Sequence, residues 1–382
     1  MKSCKNKAAS WQWFRQADEL PHDWDDALPM HSPLCRAALH LTEQARLPRI
    51  SFLYGWLPEH SIQVAFQVLH LSTEHTDTTP LQGWQALLWR SFLGLRHPKL
   101  LVAGHLFRHD VESLYFPPDT NPFLAFQNFR KALSEARSIT GAGAVLVKEM
   151  PPALVPFFQH HAPKYLLLRN DASMQMNIRP EWQSFADYEK SLKHKYAQRL
   201  RRQQEAFAGV AVKELSREEV SAQAGTLYQL YRQVTDHQKV RLGLLSREYL
   251  HLLKNAHPGT LKVWAFYEGE QMIAFVSAWH REGVFDMFYI GFDYGRNEVL
   301  STYFNLLLFS VRQAIALRAH KLVLGRTALE AKARMGAKAR YLHTFLYIRN
   351  PLFRRLVASL QARFVAMEGE WENRHPFRNV GM

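Results

Sequence analysis

The chain has 382 residues, 47% of them hydrophobic, and a formal net charge of +14 at pH 7. This length suits two domains rather than one, and the apolar content excludes a globally disordered chain. No run of eighteen apolar residues predicts a transmembrane helix, and the N-terminus has no signal-peptide pattern. Its two cysteines, Cys4 and Cys35, exclude a disulfide framework or a cysteine-built zinc site, so we expect a cytoplasmic protein.

The first half of the chain predicts an alternation of strands and helices. Residues 1–32 predict an irregular segment, which is followed by a helix at 33–46. Residues 72–80 predict a polar loop. Pro122 opens a long helix that Gly141 ends. The strands are predicted at 50–56, 62–71, 100–107, 113–116, 144–148, 165–169 and 174–178, with a short helix at 151–160.

The second half predicts the same order of elements. Helices are expected at 184–206, 217–238, 246–254, 298–318, 327–335 and 352–366. Strands are expected at 210–215, 261–267, 272–279, 284–291, 321–324 and 339–348. The repeat predicts two domains, 1–180 and 181–382, with the boundary at Arg179-Pro180-Glu181.

The basic charge lies mainly in the second of these halves. Residues 1–180 hold 18 Lys and Arg against 15 Asp and Glu, or +3, and residues 181–382 hold 30 against 19, or +11. Such a field favours anionic partners, although it also serves solubility. Within it, the helix at 190–202 carries six basic residues and no acidic one. Arg199 and Arg202 are three residues apart and share a face suited to phosphate, unless the helix is only a solvated surface.

The segment 284–336 carries the most specific pattern. A strand ends near Gly291, an apolar helix follows, and a short strand leads to Gly325-Arg326-Thr327 and to Lys332-Ala-Arg-Met-Gly336. This order resembles the second half of a GNAT-type acyltransferase domain in its FemAB-like branch. The resemblance implies an α/β fold with mixed sheets, in two tandem GNAT-like domains. It also implies an N-acyltransferase, which moves an acyl or aminoacyl group to an acceptor amine.

The resemblance implies roles for residues on both sides of the long helix. Gly291 would let the donor approach the strand, or it is a turn glycine. Coenzyme-A-binding GNAT proteins usually carry a glycine-rich loop before this helix, whereas this chain has the single Gly295 there. Ser301 and Thr302 then bind a donor anion or only cap the helix.

Further along, Gly325, Arg326 and Thr327 would line the donor and acceptor sites, together with Gly336. Lys332 would lie near the transfer centre, where its ammonium stabilises the developing oxyanion. The alternative for Lys332 is a solvated helix lysine.

Three residues are candidates for proton transfer. Asp293 would accept the proton of the acceptor amine. Tyr289 and Tyr303 would protonate the leaving group or bind the donor, unless both are core aromatics. No histidine or cysteine spacing predicts a metal site.

The donor stays open at this stage. No tightly bound cofactor is expected, and the anionic co-substrate is acyl-CoA, acyl carrier protein or aminoacyl-tRNA. A non-catalytic module on a degenerate GNAT fold, binding nucleic acid or a membrane surface through helix 190–202, is the alternative.

Overall fold

The computed structural model describes residues 10–72, 98–109, 111–168, 171–238, 242–355, 357–359 and 374–378. The chain forms two compact units, and neither is continuous in sequence. The first comprises Met1–Arg169, Lys239–Ser246 and Leu342–Ala362, and the second comprises Asn170–Gln238, Arg247–Tyr341 and Arg363–Met382.

The first unit is built on a mixed sheet of seven strands. In chain order its elements are β1 (Gln12–Phe14), α1 (Arg36–Gln44), β2 (Ile50–Leu57), β3 (Ile62–His70), β4 (Lys99–Ala103), α2 (Pro122–Thr140), β5 (Ala144–Val147), α3 (Val155–His161) and β6 (Tyr165–Leu167), with β14 (Phe345–Ile348) from the end of the chain. The strand order is β1-β2-β3-β4-β5-β14-β6, and β4 and β5 run parallel.

Helix α2 covers this sheet and starts and stops where the sequence predicts. The side chain of Asn121 accepts hydrogen bonds from the amides of Phe123 (2.8 Å) and Leu124 (3.3 Å), and Pro122 occupies the first helical position. Gly141 ends the helix with a left-handed φ of +69°. The helix buries an apolar stripe against the strands, consisting of Ala125, Phe126, Phe129, Ala132, Leu133 and Ala136.

The second unit contains a sheet of the same kind. Its elements are β7 (Ala172–Asn177), α4 (Phe185–Ser191), α5 (His194–Glu205), β8 (Ala211–Glu214), α6 (Arg217–Ala222), α7 (Ala224–Asp236), α8 (Tyr249–Ala256), β9 (Leu261–Glu268), β10 (Gln271–Arg281), β11 (Val284–Phe292), α9 (Asn297–Leu300), α10 (Thr302–Ala316), β12 (Lys321–Gly325), α11 (Leu329–Ala333) and β13 (Lys338–Tyr341). The strand order is β13-β7-β12-β11-β10-β9-β8, and β11 and β12 run parallel.

The long apolar helix of the sequence is the core helix α10. Nine of its residues are buried: Thr302, Asn305, Leu306, Leu307, Leu308, Ser310, Val311, Ala314 and Ile315. Among the described residues, no single helix is long and apolar enough to cross a membrane, although Tyr294–Leu300 and Thr302–Ala316 pass that test as a pair bent by 74°.

The predicted α/β fold class is confirmed, since each unit combines a mixed sheet with helices. The division of the chain differs from 1–180 and 181–382. Strand β7 lies between β12 and β13 in the second sheet, and β14 lies between β5 and β6 in the first. Each unit thus takes one strand from the predicted domain of the other: β7 precedes residue 180 but belongs to the second sheet, and β14 follows it but belongs to the first. The sequence does not predict this exchange of strands because a strand's partner is set by distant residues and not by its own pattern.

Several element boundaries also differ. The strand predicted at 339–348 is two strands, β13 and β14, in different sheets. The helix predicted at 298–318 is broken at Ser301, whose φ is +48°. The helix predicted at 217–238 is two helices, and 113–116 contributes only a bridge between Gln63 and Tyr115. Most of loop 72–80 and the end of helix 352–366 lie outside the described residues.

Candidate active site

The second unit has an edge where its two parallel strands are no longer paired, and we call this edge of β11 the gap. Strands β11 and β12 pair through Val284↔Lys321, Phe285↔Leu322 and Asp286↔Val323, and their register ends there. Strand β11 continues to Phe292, whereas β12 ends at Gly325, so no pair joins residues 287–292 to β12. Backbone donors and acceptors in a strand require partners. Beyond Asp286, the backbone of β11 therefore has no paired strand on the β12 side among the described residues.

A bulge in β11 determines which backbone groups face this gap. Met287 pairs with Ala278 and Ile290 with Val276, so Phe288 and Tyr289 together face Ser277. The buried Ser277 hydroxyl accepts from the Tyr289 amide (2.9 Å) and donates to its carbonyl oxygen (2.8 Å). Since strand residues alternate in direction, Ile290 and Phe292 direct their amides and carbonyls towards the gap.

The loop after β12 borders the gap and is held by Lys332. Gly325, Thr327 and Ala328 all have left-handed φ, at +73°, +65° and +46°. The Lys332 Nζ donates to the carbonyl oxygens of Gly325 (3.2 Å) and Arg326 (2.6 Å). A Cβ on Gly325 would lie 4.0 Å from the Met287 carbonyl oxygen. Strained backbone of this kind persists only where surrounding contacts enforce it, and Lys332 supplies them.

Lys332 is not a solvated helix lysine, since it is only 3% exposed. Burial lowers the pKa of Lys332 to about 7. A neutral amine has two N–H groups, which match the two carbonyl acceptors, and it keeps a lone pair. The group is therefore close to the balance between proton donor and proton acceptor at neutral pH.

Arg326 is also fixed within the loop. Its guanidinium forms a two-point ion pair with Asp171, with Nε–Oδ1 at 2.6 Å and Nη2–Oδ2 at 3.2 Å. Asp171 precedes β7, the strand that pairs with β12. The ion pair thus ties the loop to the neighbouring strand of its own sheet.

Two predicted site glycines have packing roles in the structure. A Cβ on Gly291 would lie 2.4 Å from the Phe275 ring and 2.5 Å from the backbone of Leu230 and Tyr231, so this glycine lets α7 lie directly on the sheet. A Cβ on Gly336 would lie 2.2 Å from the Phe377 ring. Both positions therefore demand glycine without any ligand.

Asp293 is engaged within its own turn. Its carboxylate accepts from the Gly295 amide at 3.1 Å and pairs with the Arg296 Nε at 3.3 Å. Arg296 in turn pairs with Glu268. These contacts give Asp293 a role in shaping the turn after β11.

Tyr289 packs at the bulge. Its ring meets Tyr231 edge-on at a centroid distance of 5.6 Å. Burial, with the nearby hydroxyls of Tyr231 and Tyr249, raises the pKa of Tyr289 well above its usual value. Tyr289 thus remains a hydrogen-bond donor at any physiological pH.

The start of α10 is capped differently from the prediction. Neither Ser301 nor Thr302 caps it with a side chain; the Asn297 Oδ1 accepts from the Tyr303 amide at 2.9 Å. The Thr302 hydroxyl is buried, with the residue 1% exposed, and has no hydrogen-bond partner among the described residues. Burial also raises the pKa of Tyr303, which supports a packed phenol.

A buried asparagine joins this start to the basic helix α5. The Asn305 side-chain amide donates to the carbonyl oxygens of Gln203 (2.9 Å), Leu300 (3.1 Å) and Ser301 (3.2 Å). The end of α5 is thereby attached to the bend before α10. Sequence reasoning missed Ser277 and Asn297 altogether.

Helix α5 presents its arginines to solvent. Arg199 and Arg202 are exposed, while Arg201 pairs with Glu189 at 2.5 Å. Burial, then the nearby Arg334, lowers the pKa of Arg199, while Glu330 opposes this shift. Arg334 and Arg374 both contact Glu330, at 2.5 and 3.0 Å. Three guanidinium groups thus surround one carboxylate on this surface.

The structure therefore brings together only part of the predicted set. Gly325, Arg326, Thr327 and Lys332 form one loop beside the gap, and Tyr289 lies at the bulge. Ser301, Thr302 and Tyr303 form the helix start that follows β11. Gly291, Gly336 and Asp293 are accounted for by packing and turn contacts.

Several solved structures are similar to this chain over most of their length. The tandem GNAT protein from the clavulanic acid biosynthesis pathway has a TM-score of 0.48 and 10% identity, covering 90% of this chain and 99% of that one. L-PGS from Bacillus licheniformis has a TM-score of 0.47 and 12% identity, covering 83% and 90%. FemX has a TM-score of 0.45 and 8% identity, covering 81% and 90%. No protein-family model matches the chain, and no curated protein matches it in sequence.

Proposed function

We propose that this protein is an N-acyltransferase whose active site is the gap between β11 and β12. The observation that carries the proposal is that the pairing of these parallel strands ends at Asp286↔Val323, while β11 runs on to Phe292. A donor with amide or ester groups would bind there as an added strand, bonding to the backbone of Ile290 and Phe292. The donor carbonyl would then lie near the loop that begins at Gly325.

The reaction needs no bond-forming group from the protein beyond proton transfer. An acceptor amine attacks the carbonyl of a thioester or ester, the tetrahedral intermediate carries an oxyanion, and the thiol or hydroxyl of the donor leaves. Backbone amides of β11 would stabilise the oxyanion. Holding the two reactants together supplies much of the remaining acceleration.

In this proposal Lys332 takes the proton that the attacking amine loses. Its two N–H groups are occupied by the carbonyls of Gly325 and Arg326, which leaves the lone pair as its free position. A base with a pKa near the working pH is the most effective proton acceptor. The half-buried, protonated Tyr289 would donate to the leaving group.

The donor remains one of three: acyl-CoA, acyl carrier protein or aminoacyl-tRNA. Helix α10 begins after β11, its turn and the short helix α9, and the positive end of a helix favours phosphate. The buried Thr302 hydroxyl at this start is a further group that a phosphate oxygen would satisfy. The exposed Arg199 and Arg202 would add attraction for an anionic donor.

The test is acyl transfer from each donor class to a panel of primary amines, followed by mass spectrometry. Gly325→Asn fills the edge of the gap, whereas Gly269→Asn changes a hairpin turn of the same unit that also has a positive φ (+59°) and open space around it. Asparagine tolerates left-handed φ, which keeps both variants folded. We expect Gly325→Asn to lose transfer and Gly269→Asn to keep it. Equal activity of the two variants, or no transfer from any donor, would contradict the proposal.

A further inference from the structure

An exposed pair of stacked rings lies beside the turn that follows β11. The rings of His237 and Tyr294 are parallel within 3°, with centroids 3.6 Å apart. His237 is exposed at the end of α7, and Tyr294 is 39% exposed. The packing described above makes no use of the exposed imidazole.

Gln233 holds both rings in place, one through its backbone carbonyl and the other through its side chain. The Gln233 carbonyl oxygen accepts from the His237 Nδ1–H at 2.7 Å, which assigns the tautomer. The Gln233 Oε1 accepts from the Tyr294 amide at 2.9 Å. The surface is therefore pre-organised, and a ligand that stacks on it orders few additional groups.

The stacked pair continues inward to the start of α10. Phe292 stacks on Tyr294 with centroids 5.5 Å apart, and Tyr303 lies 6.1 Å from Phe292. A row of four rings thus runs from the first turn of α10, beside the buried Thr302 hydroxyl, to the exposed His237. A ligand with phosphates at the helix start would extend its next group along this row.

We propose that the outer face of His237 is a stacking platform for the adenine base of the acyl donor. This inference rests on the proposed function and narrows its donor. Acyl-CoA and aminoacyl-tRNA both carry an adenosine beside phosphate groups, whereas the phosphopantetheine of an acyl carrier protein has no purine. The platform therefore selects the two adenosine-bearing classes over the carrier protein.

The experiment measures dissociation constants by calorimetry for four probes. Coenzyme A is compared with 4′-phosphopantetheine, and the trinucleotide cytidylyl-cytidylyl-adenosine with the same trinucleotide lacking its terminal base, since any base can stack on a ring. Each probe is titrated into the full chain, into His237→Ala and into Tyr341→Ala, an exposed aromatic on β13 that serves as the control. Stacking of one base on a side chain corresponds to about 5- to 150-fold in affinity.

We expect His237→Ala to weaken one adenine-bearing probe by a factor in that range and to leave its adenine-free partner unchanged. The pair that responds identifies the donor as a coenzyme A thioester or an aminoacyl-tRNA. Binding of coenzyme A and the adenosine trinucleotide no tighter than their partners, or unaltered by His237→Ala, would overturn the platform. If phosphopantetheine alone is bound, in a manner lost in Gly325→Asn, the platform is wrong and the transferase proposal stands. If no probe binds, both the stacking platform and the transferase proposal are wrong.

Discussion

The two units have the same order of strands, but their parallel strands are paired to different extents. In the first unit β4 and β5 stay paired to their ends, from Leu100↔Ala144 to Ala103↔Val147. Lys148 follows β5, and its Nζ donates to the carbonyl oxygens of His105 (2.6 Å), Leu106 (3.2 Å) and Arg108 (3.3 Å). All three ammonium protons are thus occupied by the protein.

In the second unit the parallel register has three pairs, β11 runs on past the end of β12, and the buried Lys332 donates to two carbonyls. Under the proposed function, this unpaired edge of β11 and the remaining position on Lys332 are what the donor and acceptor use. The same strand order would then carry a site in one unit and none in the other, according to how far the parallel pairing extends along the strands.

The largest expected effect is on turnover. Lys332→Ala should lose about 10²- to 10³-fold in kcat, the scale of one essential polar group in an active site. Lys148→Ala and Lys254→Ala should keep wild-type kcat in the folded protein. Lys254 is a fair control because it is 4% exposed, against 3% for Lys332, and its Nζ also donates to two carbonyls, those of Pro258 (3.1 Å) and Leu261 (2.7 Å).

Steady-state kinetics at saturating substrate, with a thermal melt of each variant, checks this difference. All three variants leave buried carbonyls without a donor, at about 1–3 kcal/mol each, so all should unfold more easily. A loss of turnover in Lys148→Ala as large as in Lys332→Ala would contradict the assignment of the active site to the second unit alone.

The next effect is on stability. Gly291→Ala should lower the free energy of unfolding by about 1–3 kcal/mol or more, because its Cβ would press on the backbone of α7. Gly259→Ala, with no atom within 4 Å of the added carbon, is the matched control. Urea unfolding of both variants measures the difference. A Gly291→Ala protein as stable as the control would show that the helix does not pack on the strand in this way.

Stability should also depend on pH through Lys332. The pKa of Lys332 is about 7 in the folded chain, whereas an unburied lysine has a pKa of 10.5. Between pH 7 and 10.5 the unfolded chain therefore binds more protons than the folded chain. The free energy of unfolding of the wild type should therefore rise with pH relative to Lys332→Met, by at most about 1.4 kcal/mol per pH unit. Denaturant titrations from pH 6 to 10 measure it. Parallel curves for the two proteins would mean that Lys332 stays charged throughout.

The smallest effect concerns helix α5. Replacing Arg199 and Arg202 with glutamine should weaken binding of the anionic donor and reduce the dependence of log affinity on log salt by about one unit per lost phosphate contact. The same change at Arg201, which is paired with Glu189, should have less effect. Affinities measured between 50 and 200 mM salt test this. An unchanged slope would leave α5 as a solvated surface.

The local patterns of the chain were sufficient for much of the architecture. Pro122 and Gly141 bounded α2 because capping depends on a few adjacent residues. The sequence also placed Gly325, Arg326 and Lys332 in one segment, which the fold keeps together. It assigned Gly291 and Gly336 to ligand binding because a glycine's neighbours in space, here α7 and Phe377, are invisible in its own segment.

By itself the sequence determined the alternation of strands and helices, the apolar core helix and the position of the basic helix. These follow from periodicity and composition, which are local properties. Only the tertiary structure decided the exchange of β7 and β14, the early end of pairing between β11 and β12, and the two carbonyl partners of Lys332. Each of these depends on contacts between residues far apart in the chain, where hydrogen-bond partners and packing are chosen by the whole fold.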